Sequence, residues 1–166
     1  MIQGGNKIDK ETGFHFLYPS NLFVSREPFD IQTLLGSCIA VCLYDPLLKV
    51  GGMNHYMVPL WNGEGLESPK YGNIAIDVLF EKMEQLGSKK KDMIAKVFGG
   101  ASQYDYQNKI LNVGERNIQV AQTMLEKLRV RVVANSLGGT QGRKIIFNTF
   151  TGQVKMKFIM KSNPQP

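Results

Sequence analysis

The sequence predicts a mixed α/β (α+β) sandwich, in which mixed β-sheets pack with two main helices. Short apolar segments separated by turn residues fill the first third of the chain, which is typical of β-strands. Two later segments repeat apolar residues every three or four positions, the spacing of a helix that buries one face. At 166 residues with 43 % hydrophobic content, the chain is large enough to bury a core without disulfides or metal.

The first 20 residues differ in character from the rest. Their start is polar and contains glycine, so we expect a flexible N-terminal arm over residues 1–20 and a single domain over residues 21–166. Within the arm, Phe14, Phe16 and Tyr18 occupy alternate positions, a pattern that suits an edge strand. The arm lacks the apolar core of a signal peptide.

The remaining elements are predicted from periodicity and turn residues. Asp45-Pro46 supplies a turn between two apolar strands, Gly87 is a suitable residue to end the first helix, and Thr151-Gly152 supplies a hairpin turn. Residues 22–24 begin the ordered domain. We predict strands at 31–35, 38–45, 50–58, 93–98 and 130–135, a loop at 61–70, helices at 71–86 and 114–128, and a hairpin of 144–150 with 153–159.

Charge and composition narrow the classes of partner. The net charge of +6 favours acidic partners, but the lysines are scattered apart from Lys89-Lys90-Lys91, which follows a helix end where cations suit the helix dipole. The sequence has no zinc-finger spacing, no P-loop and no aromatic signature of an RNA-binding module, so we expect no nucleic-acid partner. No run of about 18 apolar residues is present, so we expect no membrane insertion. These features favour a cytoplasmic protein.

Cys38 and His55 are the strongest candidates for catalytic chemistry. Two apolar strands joined by a turn separate them, so an antiparallel return of the chain would place the thiol beside the imidazole. Gly36-Ser37 interrupts the apolar run before the cysteine and suggests a turn whose backbone amides could stabilise an oxyanion. The alternative is that a lone cysteine is a buried small hydrophobe, which fits Cys42 well.

Four other residues are supporting candidates, each with a structural alternative. Asn54 would orient the histidine or bond to the backbone at a strand end. Ser37 would support the oxyanion or form a turn. Gly99 and Gly100 would let a substrate approach closely or simply end a strand. A zinc site built from the two cysteines and the histidine would lack a fourth ligand, so we expect no metal. Catalysis by a cysteine and a histidine needs no organic cofactor, so we expect none.

Five sequence blocks resemble, in order, those of the chemoreceptor glutamine deamidase family, CheD. The resemblance runs from about Leu22 to Ile159, and its blocks are Leu35-Gly36-Ser37-Cys38, Gly51-Gly52-Met53-Asn54-His55, Phe98-Gly99-Gly100-Ala101, Asn112-Val113-Gly114-Glu115-Arg116-Asn117, and Gly138-Gly139 with Gly142-Arg143-Lys144. It implies a compact sandwich akin to bacterial toxin deamidases. It also implies hydrolysis of glutamine side-chain amides on methyl-accepting chemoreceptor helices, giving glutamates that are then methylated.

The resemblance also implies residue roles and partners. The family's cysteine nucleophile and histidine base match Cys38 and His55, and its upstream threonine matches Thr33, although some relatives place theirs where this chain has Gln32. A CheC-type phosphatase is an implied partner. Two alternatives remain open: a non-catalytic module that regulates such a phosphatase, and a transglutaminase-like transfer of the acyl group to an amine.

Overall fold

The computed structural model describes residues 11–102 and 112–160. Nine strands, two α-helices and one short 3-10 helix are present in these residues. In chain order they are β1 (Gly13–Phe16), β2 (Leu22–Ser25), β3 (Phe29–Leu35), β4 (Ile39–Asp45), β5 (Val50–Asn54), α1 (Gly72–Gln85), the 3-10 helix (Lys90–Asp92), β6 (Ile94–Gly99), α2 (Val113–Lys127), β7 (Arg131–Leu137), β8 (Arg143–Asn148) and β9 (Val154–Phe158).

The strands form two mixed sheets. One sheet has the order β1-β3-β8-β9 and the other has the order β2-β5-β4-β6-β7. In each sheet one neighbouring pair is parallel, β1 with β3 and β6 with β7, and the other pairs are antiparallel. The predicted α/β sandwich with mixed sheets and two main helices is therefore confirmed.

Strand β4 lies at the centre of the molecule, and every one of its residues is buried. Its alternate side chains belong to different cores because successive residues of a strand point to opposite faces. Ile39, Val41 and Leu43 pack with residues of α1 and α2. Ala40 and Cys42 pack instead with residues of the four-stranded sheet. The layers are thus helices, five-stranded sheet and four-stranded sheet.

Helix positions agree with the sequence prediction to within a residue or two. Helix α1 buries Ala75, Leu79 and Met83 on one face, and α2 buries Ala121 and Leu125. None of the described helices is both long and apolar enough to cross a membrane.

The third predicted strand is shorter than expected. We predicted 50–58, but β5 ends at Asn54, and only the next two residues still continue its pairing with neighbouring segments. His55 donates its backbone N–H to Asn21, and the amides of Met57 and Val58 both donate to the Lys70 carbonyl. The chain therefore leaves the sheet after Tyr56, which still pairs with Ile39.

The segment predicted as an arm is part of the fold from Gly13 onward. Strand β1 pairs in parallel with β3 at the edge of its sheet, as the alternating aromatic residues suggested. Leu17 follows it, is 1 % exposed, and donates its N–H to the Gln32 carbonyl. Residues 1–10 lie outside the described residues.

Candidate active site

The register of β4 and β5 brings Cys38 and His55 together on one face. Ile39 and Tyr56 exchange two backbone hydrogen bonds of 3.1 and 3.0 Å, and this bridge continues the β4–β5 register. Ala40 is then opposite His55, and Cys38 is its diagonal neighbour, at a Cα separation of about 7–8 Å for such pairs. Cys38 packs on the core between the sheets, so both side chains are on that face.

Thr33 contacts the histidine from the opposing sheet. Its hydroxyl oxygen lies 2.7 Å from His55 Nδ1, and both residues are buried. Gln32, the alternative position for the third residue, points to the other face of β3 because side chains alternate along a strand. Thr33 is therefore the upstream residue that meets the imidazole.

A further hydrogen bond determines which ring nitrogen carries the proton. Thr33 Oγ1 also lies 2.7 Å from the carbonyl oxygen of Leu17. A carbonyl can only accept, so the single hydroxyl hydrogen is donated to Leu17, and Thr33 Oγ1 must accept from His55 Nδ1–H. Nε2 is then unprotonated and can act as a base toward the cysteine. Leu17 is thus a fourth member of the site, and no side-chain signal in the sequence could have identified a backbone carbonyl.

Burial sets the protonation states of the pair. Desolvation lowers the pKa of His55 to about 4, so its imidazole is neutral at pH 7. Desolvation also raises the pKa of the Cys38 thiol, and its own backbone N–H opposes that effect in part. The resting pair is therefore a neutral thiol beside a neutral imidazole, which suits proton transfer during attack.

The turn before Cys38 has backbone amides that are not used in backbone pairing. Among the described residues, neither the Ser37 nor the Cys38 N–H donates to a backbone carbonyl. Gly36 and Ser37 are exposed, and Cys38 is half-buried. Backbone amides at an exposed turn next to the sulfur are donors of the kind that an oxyanion hole uses. The Ser37 side chain is exposed to solvent, and its support of the oxyanion stays a prediction.

Gly99 and Gly100 hold the backbone of Cys38. Gly100 donates its N–H to the Cys38 carbonyl at 2.9 Å. Gly99 has a φ of +112°, and a Cβ there would overlap the same carbonyl oxygen. Both glycines are buried, and their contact with substrate stays a prediction. Their visible contribution is to fix the cysteine.

Asn54 bonds to the backbone and does not contact the imidazole. Its Oδ1 accepts from the Val41 N–H at 2.9 Å, and its Nδ2 has no partner among the described residues. Because it neighbours His55 on the same chain, it points to the opposite, helix-facing side. Its support of the site is therefore through the strand pairing of β4 and β5.

Two buried polar residues near the site were not singled out from the sequence. Asn117 donates to the carbonyl of Ser37, just before Cys38, and to the carbonyl of Met57, two residues after His55. Arg143, 3 % exposed, donates to Ser136 Oγ and to the Gly138 carbonyl, and so fixes a glycine turn. Both belong to the sequence blocks quoted above, but a block does not say what its residues touch.

The described residues contain no group of three or more histidine, cysteine or acidic side chains arranged to hold a metal ion. Cys42 is 1 % exposed in the core between the sheets. It matches the buried small hydrophobe that we expected.

Comparison with known proteins supplies the family. The family model described as CheD chemotactic sensory transduction matches residues 57–158. A protein of Sulfurimonas denitrificans named probable chemoreceptor glutamine deamidase CheD is 52 % identical over 149 residues, covering 89 % of this chain and 95 % of the relative. The chain belongs to the CheD family.

Further CheD relatives agree. One from Trichlorobacter lovleyi is 51 % identical over 152 residues, with 92 % of each chain covered, and one from Anaeromyxobacter dehalogenans is 40 % identical over 137 residues, covering 82 % of this chain and 80 % of the relative. Both carry the name probable chemoreceptor glutamine deamidase. The CheD family model begins after Cys38 and His55. The match to the Sulfurimonas denitrificans relative must include both residues, because it spans 149 residues of a chain of 166.

Proposed function

We propose that this chain is a protein-glutamine deamidase that converts chemoreceptor glutamine side chains to glutamate and ammonia. One observation carries the proposal: Thr33 and the Leu17 carbonyl fix the proton of His55 on Nδ1, leaving Nε2 as a base on the face that carries Cys38. The names of the relatives give the substrate, a chemoreceptor glutamine. Water is the second substrate.

In the first step the thiol adds to the glutamine amide. His55 Nε2 takes the proton from Cys38 Sγ as the sulfur attacks the side-chain carbonyl carbon, and the carbonyl electron pair moves to the oxygen. The Ser37 and Cys38 amides donate to that oxyanion, and removal of one such donor costs roughly 10²–10³ in rate. The imidazolium is stabilised by its Nδ1–H donated to Thr33.

In the second step ammonia leaves and water takes its place. The imidazolium gives its proton to the amide nitrogen, the C–N bond breaks, and a thioester on Cys38 remains. His55 then removes a proton from water, which attacks the thioester carbon and releases glutamate. The sulfur recovers its proton from the imidazolium, so the residues end in their starting state.

Partners and location complete the proposal. We propose that the enzyme acts in the cytoplasm on the signalling helices of methyl-accepting chemoreceptors and binds a CheC-type phosphatase where the host has one. Residues 21–166 would form one deamidase domain, to which strand β1 adds an edge. The support for the phosphatase partner is the family resemblance.

The test is the intact mass of a receptor cytoplasmic fragment before and after incubation, together with released ammonia. We expect the wild-type chain to replace NH₂ by OH on selected glutamines, and Cys38→Ala to do neither while keeping its circular dichroism. Cys42→Ala is the matched control and should keep activity, since that thiol is buried away from the site. Deamidation by Cys38→Ala would refute the proposal. Addition of an amine to the receptor would show acyl transfer.

A further inference from the structure

Helix α2 places one side chain between the two segments that carry the catalytic pair. Asn117 is fully buried, and its Nδ2 donates to the Ser37 carbonyl at 2.9 Å and to the Met57 carbonyl at 3.0 Å. Ser37 directly precedes Cys38, and Met57 lies two residues after His55. A primary amide has two hydrogens, so each carbonyl receives one of them.

These two hydrogen bonds replace a missing rung of the sheet. The last backbone pair between the two segments is Ile39 with Tyr56. In a continued antiparallel ladder the Val58 N–H would donate to the Ser37 carbonyl, but it donates to Lys70 at 3.1 Å. The Asn117 amide supplies the missing donor to the Ser37 carbonyl and also holds the Met57 carbonyl on the facing segment. It therefore joins the two segments where their backbone pairing ends.

The helix that carries the amide is itself fixed to the same segments. Tyr56, 0 % exposed, donates its hydroxyl to the Asn117 backbone carbonyl at 2.6 Å. Gly114, one turn earlier, packs so closely on the Gly100 and Ala101 carbonyls that a Cβ there would overlap them. Gly100 is the residue whose N–H holds the Cys38 carbonyl. The backbone that carries the Asn117 side chain is therefore held rigidly against these segments.

The oxygen of the same amide has no described partner. Asn117 Oδ1 is buried and accepts no hydrogen bond among the described residues. A buried unsatisfied acceptor costs on the order of 1–3 kcal/mol, so the side chain is a poor choice for stability alone. Its benefit is the geometry that its two donors impose.

We propose that Asn117 is a positioning residue that sets the separation of the Cys38 sulfur from the His55 imidazole. The inference rests on the proposed function, because it assigns the pair a shared task. The positioning role can be measured separately from deamidation, by the rate at which iodoacetamide alkylates Cys38 at pH 7. That reaction needs the His55 base but no receptor.

The first test compares Asn117→Leu with a matched control on the same helix. Asn112→Ala removes the side chain that caps α2 through the Glu115 N–H, so it weakens the helix without touching either carbonyl. We expect Asn117→Leu to lower both the alkylation rate and the kcat for deamidation by roughly ten- to a hundredfold, since small misplacements of reacting groups have effects of that size. The KM should change little, and Asn112→Ala should leave both rates unchanged.

The second test is a double-variant cycle with His55→Gln. If the amide acts by aligning the pair, Asn117→Leu should change alkylation less than about twofold once the base is absent. A purely structural role would give the same fold-loss in both backgrounds, and that result overturns the inference. Should the leucine variant fail to fold, Asn117→Ser keeps one donor and should show an intermediate loss.

The outcomes separate this inference from the deamidase proposal. Wild-type alkylation in a folded Asn117→Leu or Asn117→Ser protein overturns the positioning role and leaves the deamidase proposal standing. If the wild-type chain deamidates no receptor, but Asn117→Leu slows alkylation only when His55 is present, the deamidase proposal alone fails.

Discussion

The buried histidine should make this protein sensitive to acid in a way that one substitution removes. His55 is 1 % exposed, and desolvation lowers its pKa from 6.5 to about 4. As pH falls, the His55 imidazole is therefore protonated near pH 6.5 in the unfolded chain but only near pH 4 in the folded chain. The stability linked to this group is complete above the unfolded pKa and is lost as pH falls toward the folded one.

The size of the effect follows from the shift. Each pKa unit corresponds to about 1.4 kcal/mol, so the whole shift is worth roughly 3 kcal/mol. Of this, about 2 kcal/mol should be lost between pH 7 and pH 5, because the unfolded imidazole is almost fully protonated at pH 5 while the folded one is still neutral. That loss is a large part of the total stability of a typical domain.

The measurement is the free energy of unfolding in urea at both pH values, followed by circular dichroism. Other titrating groups contribute to acid sensitivity in every variant, so the difference between proteins isolates the histidine. His55→Gln should lose about 2 kcal/mol less than the wild type between pH 7 and 5. Cys38→Ala keeps the imidazole and should behave as the wild type does. Equal losses in the wild type and His55→Gln would refute the reasoning.

Three further predictions concern the residues around the pair. Thr33→Val should lower kcat by roughly 10- to 1,000-fold, because the imidazole loses the acceptor that fixes its tautomer. Thr33→Ser keeps that hydroxyl and should keep most of the activity. Equal activity of the two variants would contradict the assigned hydrogen bonds. Iodoacetamide should label only Cys38 in the native protein and Cys42 as well after denaturation, as read by intact mass; early labelling of the second thiol would mean that it is accessible. Gly99→Ala should lower the free energy of unfolding by about 1–3 kcal/mol or more, because it combines strain at positive φ with overlap on the Cys38 carbonyl. Gly36→Ala, which has open space around it, should leave the stability unchanged. Similar melting temperatures of the two variants would contradict this prediction.

The activity of the enzyme should depend on pH in a related way. Because His55 remains a free base down to about pH 4, kcat/KM should change little from pH 7 to 5 and fall only below that. The Cys38 thiol should remain protonated at neutral pH, since burial raises its pKa. A difference spectrum against Cys38→Ala at pH 7 should therefore lack thiolate absorbance, and a clear thiolate signal would indicate a resting ion pair instead.

Local patterns in the sequence predicted most of the fold and singled out Cys38 and His55 as the candidate pair. The periodicity of helices α1 and α2 and the turn at Asp45-Pro46 depend only on neighbouring residues, so their elements could be placed without coordinates. The same turn predicted that Cys38 and His55 would meet. The end of β5 at Asn54 could not be predicted, because it depends on which distant carbonyls take the next amides.

Only the tertiary structure decided which contacts hold that pair in place and which protonation state His55 has. Thr33 acts from a different sheet, and its hydrogen is directed by the backbone carbonyl of Leu17, in a segment that the sequence suggested was a loose arm. Asn117 joins two segments that are about 80 and 60 residues away along the chain. The lowered pKa of His55 likewise comes from burial between two sheets. Such contacts are made by chain segments that are remote in sequence, so no local pattern encodes them.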